Sequence, residues 1–146
     1  MSTSKIRFTL LFALGAQLFA GSPAPSTSLK PCQILPAEAW GNIMGYTTTA
    51  TPGEMFCTYS SPNNTNGGQF RIMSVVASSA EAGAVAKRMR DHQAHQRQSK
   101  HDPRLGVVDS QGTVVFSIAL FQPDFLDGNA SQLQQLVAVV KQHLPK

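Results

Sequence analysis

Charge is what this sequence has least of. Asp, Glu, Lys and Arg make up 14% of it, with 8 acidic residues against 12 basic ones. A chain that is 42% hydrophobic and so sparsely charged is not an extended disordered segment, because it carries enough apolar surface for a packed core. Cysteine is nearly missing, with two in 146 residues, and there is a single tryptophan. No apolar run approaches the roughly 20 residues that a membrane-spanning helix needs. The signatures of familiar active sites are lacking too: there is no Gly-x-Ser-x-Gly, no His-Glu-x-x-His and no glycine loop of the phosphate-cradling kind. Gly67-Gly68 is a turn signal only. The carboxylates (Glu38, Glu54, Glu81 and five aspartates) show no spacing that singles out a pair for glycoside hydrolysis.

What is present begins with an export signal. Lys5 and Arg7 precede an apolar run from Phe8 to Phe19, and Ala20-Gly21-Ser22 supplies small residues. This predicts a secretory signal peptide over 1–20, cut after Ala20, although Leu18 is bulky for a residue so close to the cut. Residues 21–31, rich in proline and serine, read as a flexible linker, and 32–146 as a single disulfide-stabilised α+β domain. Without Lys5 and Arg7 the net charge falls from +4 to +2, which argues against nucleic acid as the main partner. Export puts Cys32 and Cys57 in an oxidising compartment, where they are expected to pair. Closing a loop of about 25 residues is worth roughly 3.5 kcal/mol through the entropy it removes from the unfolded chain. Pairing also leaves no thiol nucleophile.

The mature chain reads as helix, hairpin, helix, hairpin, helix. Pro36 suits the first position of a helix, Glu38 lies in its first turn, and Trp40, Ile43 and Met44 form an apolar stripe ended by Gly45. Trp40 is read as a core anchor. Tyr46–Gly53 reads as a loop. A strand follows in which Met55, Cys57 and Tyr59 share one face and Phe56 and Thr58 the other. Gln69–Ala77 is its hairpin partner, with Phe70, Ile72 and Val76 on one side and Met73 and Val75 on the other. Ser78 and Glu81 form a capping box for a long helix reaching about Ser99, with Ala82, Val85 and Met89 buried. Leu105–Asp109 and Thr113–Phe121 form a second hairpin, its latter strand apolar on both faces and therefore interior to the sheet. Ser131 and Gln134 open a last helix with Leu133, Leu136, Val137, Val140 and Leu144 on one face. The expected architecture is an antiparallel sheet of about four strands, in two hairpins, packed against three helices in the order α-ββ-α-ββ-α.

The elements Cys-x-Ile-Leu-Pro-x-Glu, Met-Gly, Cys-Thr-Tyr, a long helix, a glycine-punctuated hairpin and a terminal helix form a recognisable series from Cys32 to Leu144. The series resembles the small exported lipoproteins of unknown function of actinobacteria, related in pattern to the extracellular sensor domains of some bacterial kinases. The resemblance implies a fold and a compartment and no catalytic residues. This chain departs from those lipoproteins in having no cysteine directly after the apolar run, so it lacks their lipid-modified residue.

The densest polar feature is the run from Lys87 to Arg104. Its basic residues Lys87, Arg88, Arg90, Arg97, Lys100 and Arg104, against Asp91 and Asp102, make it a candidate surface for an anion or a partner. His92, His95 and His101 fall in the same run. They read as a titrating surface cluster rather than a metal set, because the surrounding cations oppose a divalent ion. No cofactor is implied. The sequence therefore points to an exported, non-enzymatic binding or protein-interaction module of the cell envelope, its partner a protein or an anionic envelope component. A periplasmic inhibitor or immunity-type protein, or a hydrolase with an unfamiliar site, is the alternative.

Overall fold

A computed structural model describes residues 29–62, 67–99, 105–121 and 129–146, with the backbone alone at 97–99 and 105. The expected signal peptide, 1–20, and residues 21–28 of the expected linker lie outside the described residues. The chain is α+β and, among the described residues, runs α1 (Pro31–Ile34), α2 (Ala37–Met44), β1 (Thr49–Pro52), β2 (Phe56–Ser60), β3 (Gly68–Val75), α3 (Ser79–Ser99), β4 (Leu105–Gln111), β5 (Val114–Leu120) and α4 (Asn129–His143). Every strand pairing is antiparallel, and the sheet order is β1-β2-β3-β5-β4.

The order is thus α-βββ-α-ββ-α, with a fifth strand where a loop was expected. The Thr-rich stretch Thr49–Pro52 pairs with β2 through a turn closed by the Gly53 N–H donating to the Phe56 carbonyl at 2.8 Å. β-Branched threonines favour the extended backbone once such a partner is available, and here β2 supplies it. One turn of helix at α1 precedes the predicted first helix. Pro36 proves to be the N-cap of α2 rather than its first turn, and Gly45 ends that helix at φ 80°, a left-handed conformation glycine adopts without a Cβ clash. The last helix opens at Asn129, two residues ahead of the predicted cap.

The sheet carries a separate core on each face. On the inner face Cys57, Tyr59, Phe70, Ile72, Val114, Phe116, Ile118 and Leu120 pack against Ile34, Trp40 and Met44 of the short helices and the stripe Leu133, Leu136, Val137 and Val140 of α4. On the outer face Val108 and Val115 lie under Ala82 and Ala86 of α3, with Met73, Val76, Val85 and Met89 around them. Residue by residue, β5 obeys the two-fold alternation expected of it. β3 does not. Ile72 pairs with Phe116 and Ser74 with Val115, so Met73 is an extra residue in the ladder. Such a bulge moves every later side chain to the opposite face. Val76, expected beside Ile72, therefore joins Met73 beneath α3, and Val75 is left 61% exposed.

The short helices are held by their neighbours. The Cys32–Cys57 disulfide, with Cα atoms 5.1 Å apart, fastens α1 to β2. Tyr59 donates its hydroxyl to the Leu35 carbonyl, and the Trp40 ring stacks on the Tyr59 ring with centroids 4.0 Å apart. Burial pushes the Tyr59 phenol well above its ordinary pKa. Tyr46 is also raised, burial outweighing the hydrogen bond it accepts from Trp40 Nε1. Gln132 Nε2 of α4 donates to the Ile43 carbonyl at 3.2 Å and ties the last helix to α2. Substituting Cys57→Ser should lower stability by about 2–5 kcal/mol in denaturant melts. The wild type should fall to the same midpoint under reductant, and indifference to reductant would refute the role given to the bridge.

Candidate functional site

The expected anion surface follows α3. This helix starts at the capping box read from the sequence: Glu81 N–H donates to Ser78 Oγ at 3.2 Å, and the Glu81 carboxylate accepts from the Ala77 N–H at 3.3 Å. Of the six basic residues, Lys87, Arg88 and Arg90 are described with their side chains. Arg97 is helical with its side chain outside the described residues, and Lys100, His101 and Arg104 lie outside them altogether. Lys87 Nζ pairs with Asp91 at 2.8 Å along the helix. Arg88 is exposed, with Nε 3.5 Å from the Ala84 carbonyl. Arg90 turns the other way, toward the sheet. His92 Nε2 lies 3.0 Å from Gln96 Nε2, and His95 is exposed. Among the described residues no three His, Cys, Asp or Glu side chains meet at a distance that would hold a metal. The three described cations do not converge on one point.

Arg90 belongs to the edge of the sheet. Its Nη1 donates to the Val108 carbonyl on β4 at 2.9 Å and lies 3.8 Å from Asp109. Asp109 also pairs with Lys141 of α4 at 2.7 Å and accepts the Ser110 N–H at 2.8 Å. One carboxylate therefore links α3, β4 and α4 across the open side of β4; it takes the Ser110 N–H while Arg90 takes the Val108 carbonyl, two backbone groups that would otherwise invite another strand. Beside it, Arg90, Gln93, Ala94, Gly106, Val107 and Val108 line a cleft of about 210 Å³. Two more open depressions flank the short helices. One, of about 600 Å³, adjoins Cys32 between Lys30 and Glu54; the other, of about 550 Å³, lies along Glu38, Asn42, Tyr46 and Thr48. Neither brings titratable side chains together around a reacting centre.

A different surface of the sheet is left open. α3 lies over β4 and β5 and reaches β3 only at its far end, at Met73, so the outer face of β1, β2 and the 68–71 half of β3 has no helix over it among the described residues. The register aligns Thr51, Thr58, Gln69 and Ala119 in one row across this face, and Phe56, Arg71 and Ser117 in the next. None of these side chains is buried. They form a bonded array. Arg71 Nη2 donates to Gln69 Oε1 at 3.2 Å, and Gln69 Nε2 donates to Thr58 Oγ1 at 3.4 Å. The Arg71 guanidinium lies over the Phe56 ring, 5.8 Å from its centroid. The same ring rests on Gly53, where any Cβ would collide with it. Phe56 is thus packed on Gly53 and lies under the Arg71 guanidinium. No described carboxylate is within ion-pair distance of Arg71.

Half of this array was legible from strand alternation. Alternation along β2 turns Phe56 and Thr58 away from the disulfide face, and the same alternation in β3 turns Gln69 and Arg71 with them. What it could not show was that α3 would settle over β4 and β5 and leave these four open. Compared with known proteins, the chain matches no family model, no curated sequence and no solved structure.

The Asp109 cluster generates a test of its own. Replacing Asp109 with Ala should cost about 0.5–1 kcal/mol at low ionic strength, a size set by the partial exposure of Arg90 and Lys141. The deficit should shrink in high salt, as read by denaturant midpoints at two salt concentrations. A salt-independent loss would mean that the carboxylate acts through its hydrogen bond to Ser110 and not through its ion pairs.

Proposed function

We propose that the chain is an exported, non-enzymatic binding module of the cell envelope that meets its ligand through the uncovered half of the sheet. The observation that carries this reading is Arg71. A guanidinium lies over an aromatic ring, is bonded to Gln69, and is exposed with no carboxylate within ion-pair distance among the described residues. Arginine side chains lose substantial rotamer freedom when ordered, and ordering one before a partner arrives lowers what binding must supply. The disulfide is in keeping with an oxidising compartment, and the basic, apolar and small-residue order of the first twenty residues supports export.

The test compares three baits in pull-downs from envelope extract: the wild-type mature protein, Arg71→Glu, and the double variant Arg88→Glu/Arg97→Glu on α3. Arg90 is left alone because its reversal would set two carboxylates together at the β4 edge. The wild type should retain a ligand, Arg71→Glu should lose it, and the α3 variant should keep it. Loss with the α3 variant and retention with Arg71→Glu would move the interface to the basic helix.

A further inference from the structure

We infer that the ligand of the uncovered face is a carboxylate-bearing glycan, a polymer of uronic-acid type, with one carboxylate seated on Arg71 and its hydroxyls met by Thr58, Gln69 and Ser117. The inference rests on the reading of this face as the binding surface, and it adds the chemistry of the occupant.

Three features of the face select that chemistry. The first is charge density. Among the described residues of the outer face beyond α3, Arg71 is the one ionised side chain, standing among Thr49, Thr51, Thr58, Ser60, Gln69 and Ser117. A ligand matching it sets each negative charge beside neutral hydrogen-bonding groups. Every uronic sugar does so, its carboxylate flanked by hydroxyls and by ring and glycosidic oxygens. An acidic peptide sets its carboxylates on apolar methylenes, without hydroxyls beside them.

The second feature is the direction of the hydrogen bonds. Gln69 Oε1 is committed to Arg71, and Gln69 Nε2 donates to Thr58 Oγ1. With Thr58 Oγ1 already accepting, its own proton is available to donate outward. Arg71 spends one Nη2 hydrogen on Gln69 and keeps the rest of its fork. The row therefore presents donors, suited to carboxylate and hydroxyl oxygens.

The third is how little apolar area the face offers. Phe56 is already in contact with Gly53 and Arg71. The large apolar side chains exposed among the described residues, Met55, Val75 and Phe121, are scattered over separate strand ends and do not gather at Arg71. A protein partner is held chiefly by a buried apolar centre with aromatic anchors, and the described residues of this face do not supply one. A thin polar polymer needs no such centre.

The experiment is affinity electrophoresis of the mature protein through gels containing polygalacturonate, with gels of neutral dextran and of poly-glutamate as comparisons and flotation with phosphatidylglycerol vesicles alongside. The wild type should be retarded by polygalacturonate alone. Arg71→Lys keeps the charge and loses the planar fork, and it should bind about tenfold or more weakly. Gly53→Ala displaces Phe56 and should weaken binding in the same direction, while Arg88→Glu should not. Melting curves for each variant separate lost binding from lost folding. The inference is overturned if polygalacturonate does not retard the wild type, if Arg71→Lys binds as well as arginine, or if poly-glutamate or the vesicles bind more tightly. A ligand captured from envelope through Arg71 together with no binding to polygalacturonate would overturn the glycan and keep the face. Capture indifferent to Arg71→Glu would overturn both.

Discussion

The fold depends on what happens inside the loop closed by Cys32 and Cys57. Helices of four and eight residues are too short to persist alone in water, where stretches below about 12–15 residues are marginal. Here each is fastened to the same strand. The disulfide holds α1 to β2, and the Trp40–Tyr59 stack holds α2 to it, with the Tyr59 hydroxyl bonded to the Leu35 carbonyl between them. Cys57 and Tyr59 are two apart on β2 and so point to one face, which fixes both helices on that side of the sheet. α4 joins them through its apolar stripe and the Gln132 contact with Ile43.

That assignment leaves a single helix for the other face. α3 covers Val108 and Val115 at the β4–β5 side, and no described helix remains for β1, β2 and the near half of β3. The exposed half-face is therefore polar by the ordinary logic of an antiparallel sheet with one wet side. Its threonines and glutamine need no further explanation than that. Arg71 does, because its position is over-determined: Gly53 supports Phe56, Phe56 supports the guanidinium, and Gln69 accepts one of its hydrogens. The sheet edges point the same way. Pro52 offers no N–H on β1, and Arg90 and Asp109 occupy backbone groups of β4, so the edges are guarded while the face is open.

Much of this architecture was legible in the residues. The disulfide followed from two cysteines behind an expected export signal, the inner core from alternation in β5 and the stripe of α4, and the start of α3 from Ser78 and Glu81. The failures have specific causes. Thr49–Pro52 has no apolar alternation to mark it, and it becomes a strand only because β2 lies within reach through a tight turn. The bulge at Met73 is a property of pairing with β5, so nothing local announced that Val76 would change faces. The basic run of α3 stands out in the sequence by charge alone. In three dimensions Lys87 is paired along the helix and Arg90 caps the β4 edge, whereas Arg71, isolated among polar residues, attracted no attention. Spacing reports what shares a face, but not which face a distant helix will cover.

The account turns on whether the uncovered half-face is where a ligand sits, and chemical-shift mapping tests that most directly. Galacturonate would be titrated into the isotope-labelled protein while backbone amides and the arginine, glutamine and threonine side chains are followed. Shifts gathered on Thr58, Gln69, Arg71 and Ser117, with the Arg71 guanidinium moving most, are the predicted result. Shifts gathered on α3 between Lys87 and Ser99, with the sheet face silent, would contradict it.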